Sequence, residues 1–239
     1  MAHRTDADTM KTSARAVWHL TDRFVSGNNW EMDSILNDLQ ILSGQWTVRL
    51  PAAAIILAGG KSERMGQDKS LLQLQGRPLI AHIAEQLRPH FRRILISTNK
   101  PDKYSFLGLE CVKDEQPGQG PLMGIASALK ASPEDLNFVI ACDIPEVDIP
   151  LMKSLLRQAR DCDGAVPLSP DGRIEPVYAV YRKSVLPALR TALVDGERKI
   201  QNALSNTSIK YVPLNNNQQP LNLNTPSDFE HFVKVCEKD

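Results

Sequence analysis

The apolar run Ala52-Ala53-Ala54-Ile55-Ile56 stops abruptly at two adjacent glycines, Gly59 and Gly60. A short apolar run bounded by a glycine turn reads as a buried strand ending in a tight loop. Glycine has no Cβ, so such a loop lets backbone N–H groups converge on an anion. Three cations, Lys61, Arg64 and Lys69, fall in the same stretch, which suits a nucleoside triphosphate better than an uncharged ligand. Two glycine-loop patterns are ruled out. A P-loop needs Gly-x-x-x-x-Gly-Lys-Ser/Thr, and Ile55 stands where its first glycine would precede Gly60-Lys61-Ser62. The Gly-x-Gly-x-x-Gly fingerprint fails because the glycines are adjacent. An ordinary polar strand-to-helix loop is the plainer alternative.

From Ala53 onward, strand-like and helix-like segments alternate. Helical spacing runs over 78–87 and again over 122–129, after a Gly-x-Gly-Pro turn. Strands are expected at 94–97, 110–112 and 138–141, the last ending in Cys142-Asp143. An amphipathic helix is expected over 149–159, then strands at 165–167 and 176–181 and helices at 184–193 and 197–204. A strand at 210–212, a polar loop at 215–219 and a helix at 227–235 headed by Pro226 close the chain. Alternating units with near-continuous apolar strands predict an α/β protein, a three-layer αβα arrangement around a mainly parallel sheet. Ligands of such sheets sit outside the carboxyl ends of the strands. Loop 58–69, Ser97-Thr98-Asn99 and Asp143 all reach that edge.

The first fifty residues break this pattern. Val17, Leu20 and Phe24 make one helical stripe, and Met32, Ile35, Leu36, Leu39 and Leu42 a second; Trp46, Val48 and Leu50 alternate as in a strand. With Trp18, Trp30 and Trp46 here, residues 1–50 are expected to form a small folded extension, disordered over 1–12, whose role is packing or a partner contact.

Basic and acidic residues balance at 28 each, so no global field draws in nucleic acid or an anionic membrane. Any anion site must be local. Cys111, Cys142, Cys162 and Cys236 form no C-x-x-C pair, which argues against a zinc site or a disulfide framework and fits a reducing compartment. Charges from Arg4 onward leave no signal-peptide apolar region, and no apolar run approaches the ~18 residues of a membrane span. The expected setting is the cytoplasm.

Asp143 is the second strong signal. A carboxylate at the end of an apolar strand is costly to bury unless it is paired or binds a metal, and at a ligand edge it can hold Mg²⁺ with phosphate oxygens. An Asx turn or a helix cap is the structural alternative, though the helix near Ile149 begins six residues on. Lys69, between Asp68 and the apolar pair Leu71-Leu72, would neutralise a phosphate as a compact charge. Arg64 would make bidentate contacts to phosphate oxygens.

Gly118-Gln119-Gly120-Pro121-Leu122-Met123-Gly124 opens a helix whose free N-terminal N–H groups would meet a base or ribose, with Gly120 and Pro121 lining the contact; a plain turn with Pro121 in the first helical turn is the alternative. Asp114 would accept hydrogen bonds from a purine, or is a surface acid. Arg198 and Lys199, in Gly196-Glu197-Arg198-Lys199, form a second cationic patch suited to a second anionic substrate, or a solvated helix start. Asn224 lies beside Thr225, a candidate N-cap, and would touch the metal shell or the product. Cys142 reads as a small buried residue and not a nucleophile. His82 reads as structural.

Leu57-Ala58-Gly59-Gly60-x-Ser62-x-Arg64-Met65-Gly66-x-Asp68-Lys69, followed by Gly76-Arg77-Pro78-Leu79, resembles the signature of molybdenum cofactor guanylyltransferases. Gly120-Pro121-Leu122-x-Gly124, Cys142-Asp143-x-Pro145, Gly196-Glu197-Arg198 and Asn224-Thr225-Pro226 follow in the family's order, so the resemblance covers about 53–238. It implies a Rossmann-like nucleotidyltransferase fold over 51–239 that transfers GMP from Mg·GTP to the phosphate of Mo-molybdopterin. Leu57, Ala58, Gly59, Gly60 and Lys69 would then bind GTP, with Arg64 near the β- and γ-phosphates. Ser97 and Asp114 would belong to the nucleotide site, Asp143 would bind Mg²⁺, and Arg198, Lys199 and Asn224 would face the pterin. Other molybdenum-cofactor biosynthesis proteins and molybdoenzyme apoproteins become candidate partners.

The family often has Asn where Ser97 stands, and sugar nucleotidyltransferases place an Asp near Asn224. The CTP-using relative carries Leu-Ala-Ala-Gly where this chain has Leu57-Ala58-Gly59-Gly60, which favours GTP. A sugar-1-phosphate nucleotidyltransferase and a non-catalytic nucleotide-binding regulator on the same fold are the rival readings.

Overall fold

The computed structural model describes residues 49–59, 68–215 and 219–236. Apart from Arg49, these belong to one compact unit, Leu50–Asp239. The expectations for residues 1–48 and for most of the 60–67 loop and the 215–219 loop lie outside the described residues.

Strand β1 (Leu50–Leu57) is buried at every position from Ala52 to Leu57. A strand covered on both faces and paired on both edges belongs at the centre of a parallel sheet. It pairs in parallel with β4 (Phe91–Ser97) and β6 (Leu136–Ala141), with Leu57 opposite Ser97 on one side and Ala141 on the other. The seven-stranded order is β5-β4-β1-β6-β8-β7-β9, where β5 is Glu110–Val112, β7 Gly164–Leu168, β8 Tyr178–Arg182 and β9 Ile209–Pro213. The two-residue strands β2 (Gln73–Leu74) and β3 (Arg77–Pro78) form a separate hairpin.

Among the described residues of this sheet, β8 alone runs against its neighbours. Its cause lies in the connection. No helix separates β7 from β8; instead Gly172, at φ 83°, and Asp171, which accepts the Arg173 N–H, turn the chain back, and Leu168 bridges Ile174. Two consecutive strands without a crossover must be antiparallel.

Helices α1 (Leu79–Leu87) and α3 (Ile149–Gln158) contact one set of strands, β1 and β4 for the first and β6, β7 and β8 for the second. Between the strands on that face, Phe91 stacks on Phe138 at 6.1 Å and Phe138 meets Tyr178 edge-on at 5.1 Å. The opposite face packs Ile55, Val139, Val166, Ala179 and Tyr181 against Leu122, Ile125 and Leu129 of α2 (Pro121–Ala131), Leu189 of α4 (Leu186–Val194) and Ile200 of α5 (Ile200–Ala203). The alternation of strand side chains between two faces gives the expected three-layer αβα fold. The last helix, α6 (Pro226–Cys236), buries Phe232 in a smaller cluster with Leu74, Leu79 and Leu223. No helix among the described residues is long and apolar enough to cross a membrane.

Two helices differ from the sequence expectation. The 184–193 helix opens with a separate 3₁₀ turn, Lys183–Val185, before Leu186. The 197–204 helix shrinks to Ile200–Ala203, because the Glu197 carboxylate accepts the N–H groups of Arg198 and Lys199 and holds them outside the helix.

Gly164 marks how closely β7, β8 and β9 pack. A Cβ there would stand 2.6 Å from the Val180 carbonyl oxygen and 3.1 Å from both Ile209 Cδ1 and Tyr181 Cδ1. Gly164→Ala is expected to lower the unfolding free energy by about 1–3 kcal/mol, the usual cost of overpacking. Urea denaturation checks this, and an unchanged midpoint would contradict the packing described.

Candidate active site

The order of strands fixes where a ligand can sit. From β1 the chain first builds outward through β4 and β5, then α2 returns it across the sheet to β6 on the other side of β1. The crevice between the carboxyl ends of β1 and β6 is therefore the switch point at which open α/β sheets bind ligands. Backbone bonds hold its walls. Cys142 N–H donates to the Leu57 carbonyl at 3.1 Å, and Ala58 N–H donates to the Ser97 carbonyl at 2.9 Å.

Asp143 follows Cys142 at this edge and does not cap α3. That cap is Asp148, whose carboxylate accepts the Leu151 N–H at 2.8 Å. The Asp143 Oδ2 atom lies 3.8 Å from Lys69 Nζ, with the two side chains 27% and 16% exposed. Leu223 joins them: Lys69 Nζ donates to its carbonyl at 2.8 Å, and its N–H donates to the Asp143 carbonyl at 2.9 Å. Lys69 and Asp143, 74 positions apart in the chain, thus form one charged pair at the switch point.

Lys69 enters from a 3₁₀ turn, Lys69–Leu71, capped by Asp68. Burial opposes the Asp68 charge, but hydrogen bonds from Ser70 and the Lys103 ion pair outweigh it and hold the carboxyl below its ordinary value. The buried Tyr104 hydroxyl lies 2.9 Å from Ser70 Oγ and 3.2 Å from the Ala58 carbonyl oxygen. Burial, together with the Asp143 and Asp68 carboxylates, pushes the Cys142 thiol up to about 12, so no thiolate nucleophile exists there near neutral pH. His82 is structural, its Nε2 2.7 Å from the Leu74 carbonyl oxygen.

On the β4 side of the crevice, Ser97 is 3% exposed and Asp114 is clasped by Asn99. The Asn99 Nδ2 donates to Asp114 Oδ2 at 2.7 Å, and Asp114 N–H donates back to Asn99 Oδ1 at 3.0 Å. The second glycine segment packs against both. A Cβ on Gly124 would stand 2.8 Å from Ser97 Oγ, 3.6 Å from Asp114 Oδ1 and 3.8 Å from Leu57 Cδ2. Gly120, at φ 77°, is the N-cap of α2, with Pro121 in the first turn. This conformation accounts for a glycine at 120 without a ligand, while Gly124 is needed for close approach.

Arg198 and Lys199 arrive by topology. Because β8 is antiparallel to β6, α4 starts at the opposite edge of the sheet and returns, bringing Gly196–Lys199 to the carboxyl edge. Among the described residues, no ion pair or hydrogen bond ties this patch to Asp143 or Lys69. Asn224 and Thr225 donate their N–H groups to Asp228 Oδ2 while Asp228 N–H donates to Thr225 Oγ1, a reciprocal cap that fixes the segment next to Leu223. Gly60, Lys61 and Arg64 lie outside the described residues. No group of three or more His, Cys, Asp or Glu side chains that could hold a metal ion occurs among the described residues. Leu223, Tyr104 and the clasping role of Asn99 escape sequence reasoning. Only Asn99 carries a signal, its place at a strand end.

The profile of the MobA-like NTP transferase domain family matches residues 54–210. A Carboxydothermus hydrogenoformans protein named probable molybdenum cofactor guanylyltransferase is 37% identical over 187 residues, 75% of this chain and 94% of that one. A Pseudomonas putida protein named molybdenum cofactor guanylyltransferase is 37% identical over 163 residues, 67% of this chain and 85% of its own. The solved structure of molybdopterin-guanine dinucleotide biosynthesis protein A from Archaeoglobus fulgidus matches with a TM-score of 0.69 and 26% identity, over 78% of this chain and 100% of that one.

The contact between Gly124 and Ser97 makes a stability test. Gly124→Ala is expected to cost about 1–3 kcal/mol through overpacking, and Ser97→Ala in the same chain should recover most of it by removing the atom that is struck. Chemical denaturation of the two single variants and the double variant measures the coupling; additive losses would contradict this contact.

Proposed function

We propose that this chain, which belongs to the MobA-like NTP transferase family, transfers GMP from GTP to the phosphate of Mo-molybdopterin. The products are the guanine dinucleotide form of the cofactor and pyrophosphate. The observation that carries this reading is the Lys69–Asp143 pair, joined through Leu223, at the switch point beside Ala58 and Gly59. The names of the relatives supply the substrates.

An oxygen of the molybdopterin phosphate attacks the α-phosphorus of GTP. A new P–O bond forms there as the bond to the bridging oxygen of the β-phosphate breaks, and pyrophosphate leaves with the electron pair. The attacking oxygen is already anionic, so no strong base is required. The protein must hold two anions in line and offset the charge that builds up on the α-phosphate and on the departing pyrophosphate. Alignment alone can contribute roughly 7–11 kcal/mol to such a step.

Lys69 would meet the α-phosphate as a compact charge. Asn99 occupies Asp114 Oδ2 and leaves Oδ1 to accept from the guanine N1–H and 2-amino groups. Arg64, by motif, serves the β- and γ-phosphates. Arg198, Lys199 and Asn224 belong to the molybdopterin side of the crevice.

Mg²⁺ fits Asp143. Its carboxylate is partly exposed, and its ion pair at 3.8 Å is longer than a hydrogen bond, so it retains capacity for a hard cation that takes one or two carboxylates with phosphate oxygens. Bound there, the ion would neutralise charge on the reacting phosphates.

Incubating the protein with each nucleoside triphosphate, Mg²⁺ and Mo-molybdopterin, and weighing the dinucleotide product, tests the reading. GTP alone is expected to yield product. Product from CTP and not GTP would reassign the base, and nucleotide binding without product would favour a non-catalytic regulator. Asp143→Ala is expected to abolish transfer while the unfolding midpoint holds, since its side chain is not buried; near-normal turnover in Mg²⁺ would sink the metal assignment. Lys69→Ala should lower kcat by about 10²-fold, the scale of losing one stabiliser of developing charge, with a smaller change in KM. An unchanged kcat would count against its role at the α-phosphate.

A further inference from the structure

Tyr104 is 1% exposed and among the largest fully buried side chains, yet the transfer reaction as described gives it no task. Its hydroxyl lies 2.9 Å from Ser70 Oγ and 3.2 Å from the Ala58 carbonyl oxygen, to which it donates, with the Thr98 side chain also beside it. Asp68 Oδ1 takes the Ser70 hydroxyl proton at 2.7 Å, so Ser70 does not compete as a donor to the phenol. Burial pushes the phenol up to about 12, so it remains a donor throughout the neutral range.

The direction of the Ala58 carbonyl has a consequence for the next residue. On an extended strand the N–H and C=O of one residue point to the same side. The Ala58 N–H donates to Ser97 of β4, and its carbonyl meets Tyr104, which follows β4 in the chain. A trans peptide is planar, with each C=O opposed to the following N–H. The Gly59 N–H therefore points away from β4, toward β6, where Cys142 N–H meets the Leu57 carbonyl and Asp143 follows. Among the described residues, nothing accepts from Gly59 N–H.

We infer that Tyr104 is a positioning residue for the nucleotide: by holding the Ala58 carbonyl, its hydroxyl aims the Gly59 N–H into the crevice between β1 and β6 as a donor to a nucleotide oxygen. On its far side Ser70 passes its own hydroxyl proton to Asp68, which also accepts from Lys103 Nζ at 2.9 Å; these three residues hold the turn at Lys69–Leu71, and only the phenol reaches the Ala58 carbonyl. The inference rests on GTP occupying the Ala58–Gly59 edge.

Tyr104→Phe keeps the buried ring and removes only the hydroxyl. In the full chain with Mg²⁺, the GTP Kd by equilibrium dialysis and the KM for GTP are expected to rise about five- to tenfold, the scale of one hydrogen bond. The KM for molybdopterin should stay within about twofold. Ser70→Ala removes a member of the same network but leaves Tyr104 on Ala58, and it should leave the GTP Kd within about twofold even where it lowers the unfolding midpoint comparably. An unchanged GTP Kd in Tyr104→Phe, or an equal loss in Ser70→Ala, would overturn the inference. In the unaltered chain, the Gly59 amide resonance should shift on GTP addition, and a stationary one would also overturn it. Absence of GTP binding by the unaltered chain would instead overturn the guanylyltransferase reading, and this inference with it.

Discussion

The parallel pairing of β1 with β4 and β6 is the constraint on which the rest of the molecule depends. Residues Ala52 to Leu57 are buried on both faces, so their backbone groups have nowhere to go but the neighbouring strands. In register, Leu57 meets both Ser97 and Ala141, and the three strands end level. Ala58-Gly59, Thr98-Asn99 and Cys142-Asp143 are then delivered to one line without any further device. A slip of one residue would turn the side chains of β1 to opposite layers, taking Ala53, Ile55 and Leu57 out of the cluster they share with Leu122, Ile125 and Leu129.

The charged centre is closed from elsewhere. Lys69 and Leu223 are 154 positions apart, and Leu223 is 1% exposed, packed with Leu74, Leu79 and Phe232. The apolar face of α6 thus secures the carbonyl that receives the Lys69 ammonium and the N–H that binds the Asp143 carbonyl. A lysine so tethered keeps little rotamer freedom to lose when an anion arrives. The chain carries no net charge overall, and its electrostatics at this edge come from this local placement.

Sequence periodicity located the elements well wherever burial imposes a pattern. The strand expected at 94–97, buried throughout, lies within Phe91–Ser97, and the helix starting at Ile149 is found at that residue. Asp143 and Lys69 were legible because charge at a strand end or beside a glycine loop conflicts with burial unless something uses it. Four features were not legible, each for a physical reason. The reversal at β8 depends on a turn at Gly172 competing with a crossover. The shortened helix at Ile200 depends on the Glu197 carboxylate capturing two N–H groups. Leu223 acts through its backbone, which has no letter of its own in a sequence, and Tyr104 reads as one more core aromatic until its hydroxyl is traced.

The glycines near the crevice divide by what requires them. Gly118 and Gly120 adopt φ of 83° and 77°, which side chains seldom tolerate. Gly124 has ordinary φ, but a Cβ would stand 2.8 Å from Ser97 Oγ. Gly59 shows neither demand: its φ is not positive, and a Cβ would sit 3.9 Å from the Ser97 carbonyl oxygen, an ordinary contact. Among the described residues nothing bars an alanine there. Under the guanylyltransferase reading, an added methyl group at Gly59 would meet the nucleotide and not the described fold, so the cost of Gly59→Ala would fall on binding and not on stability.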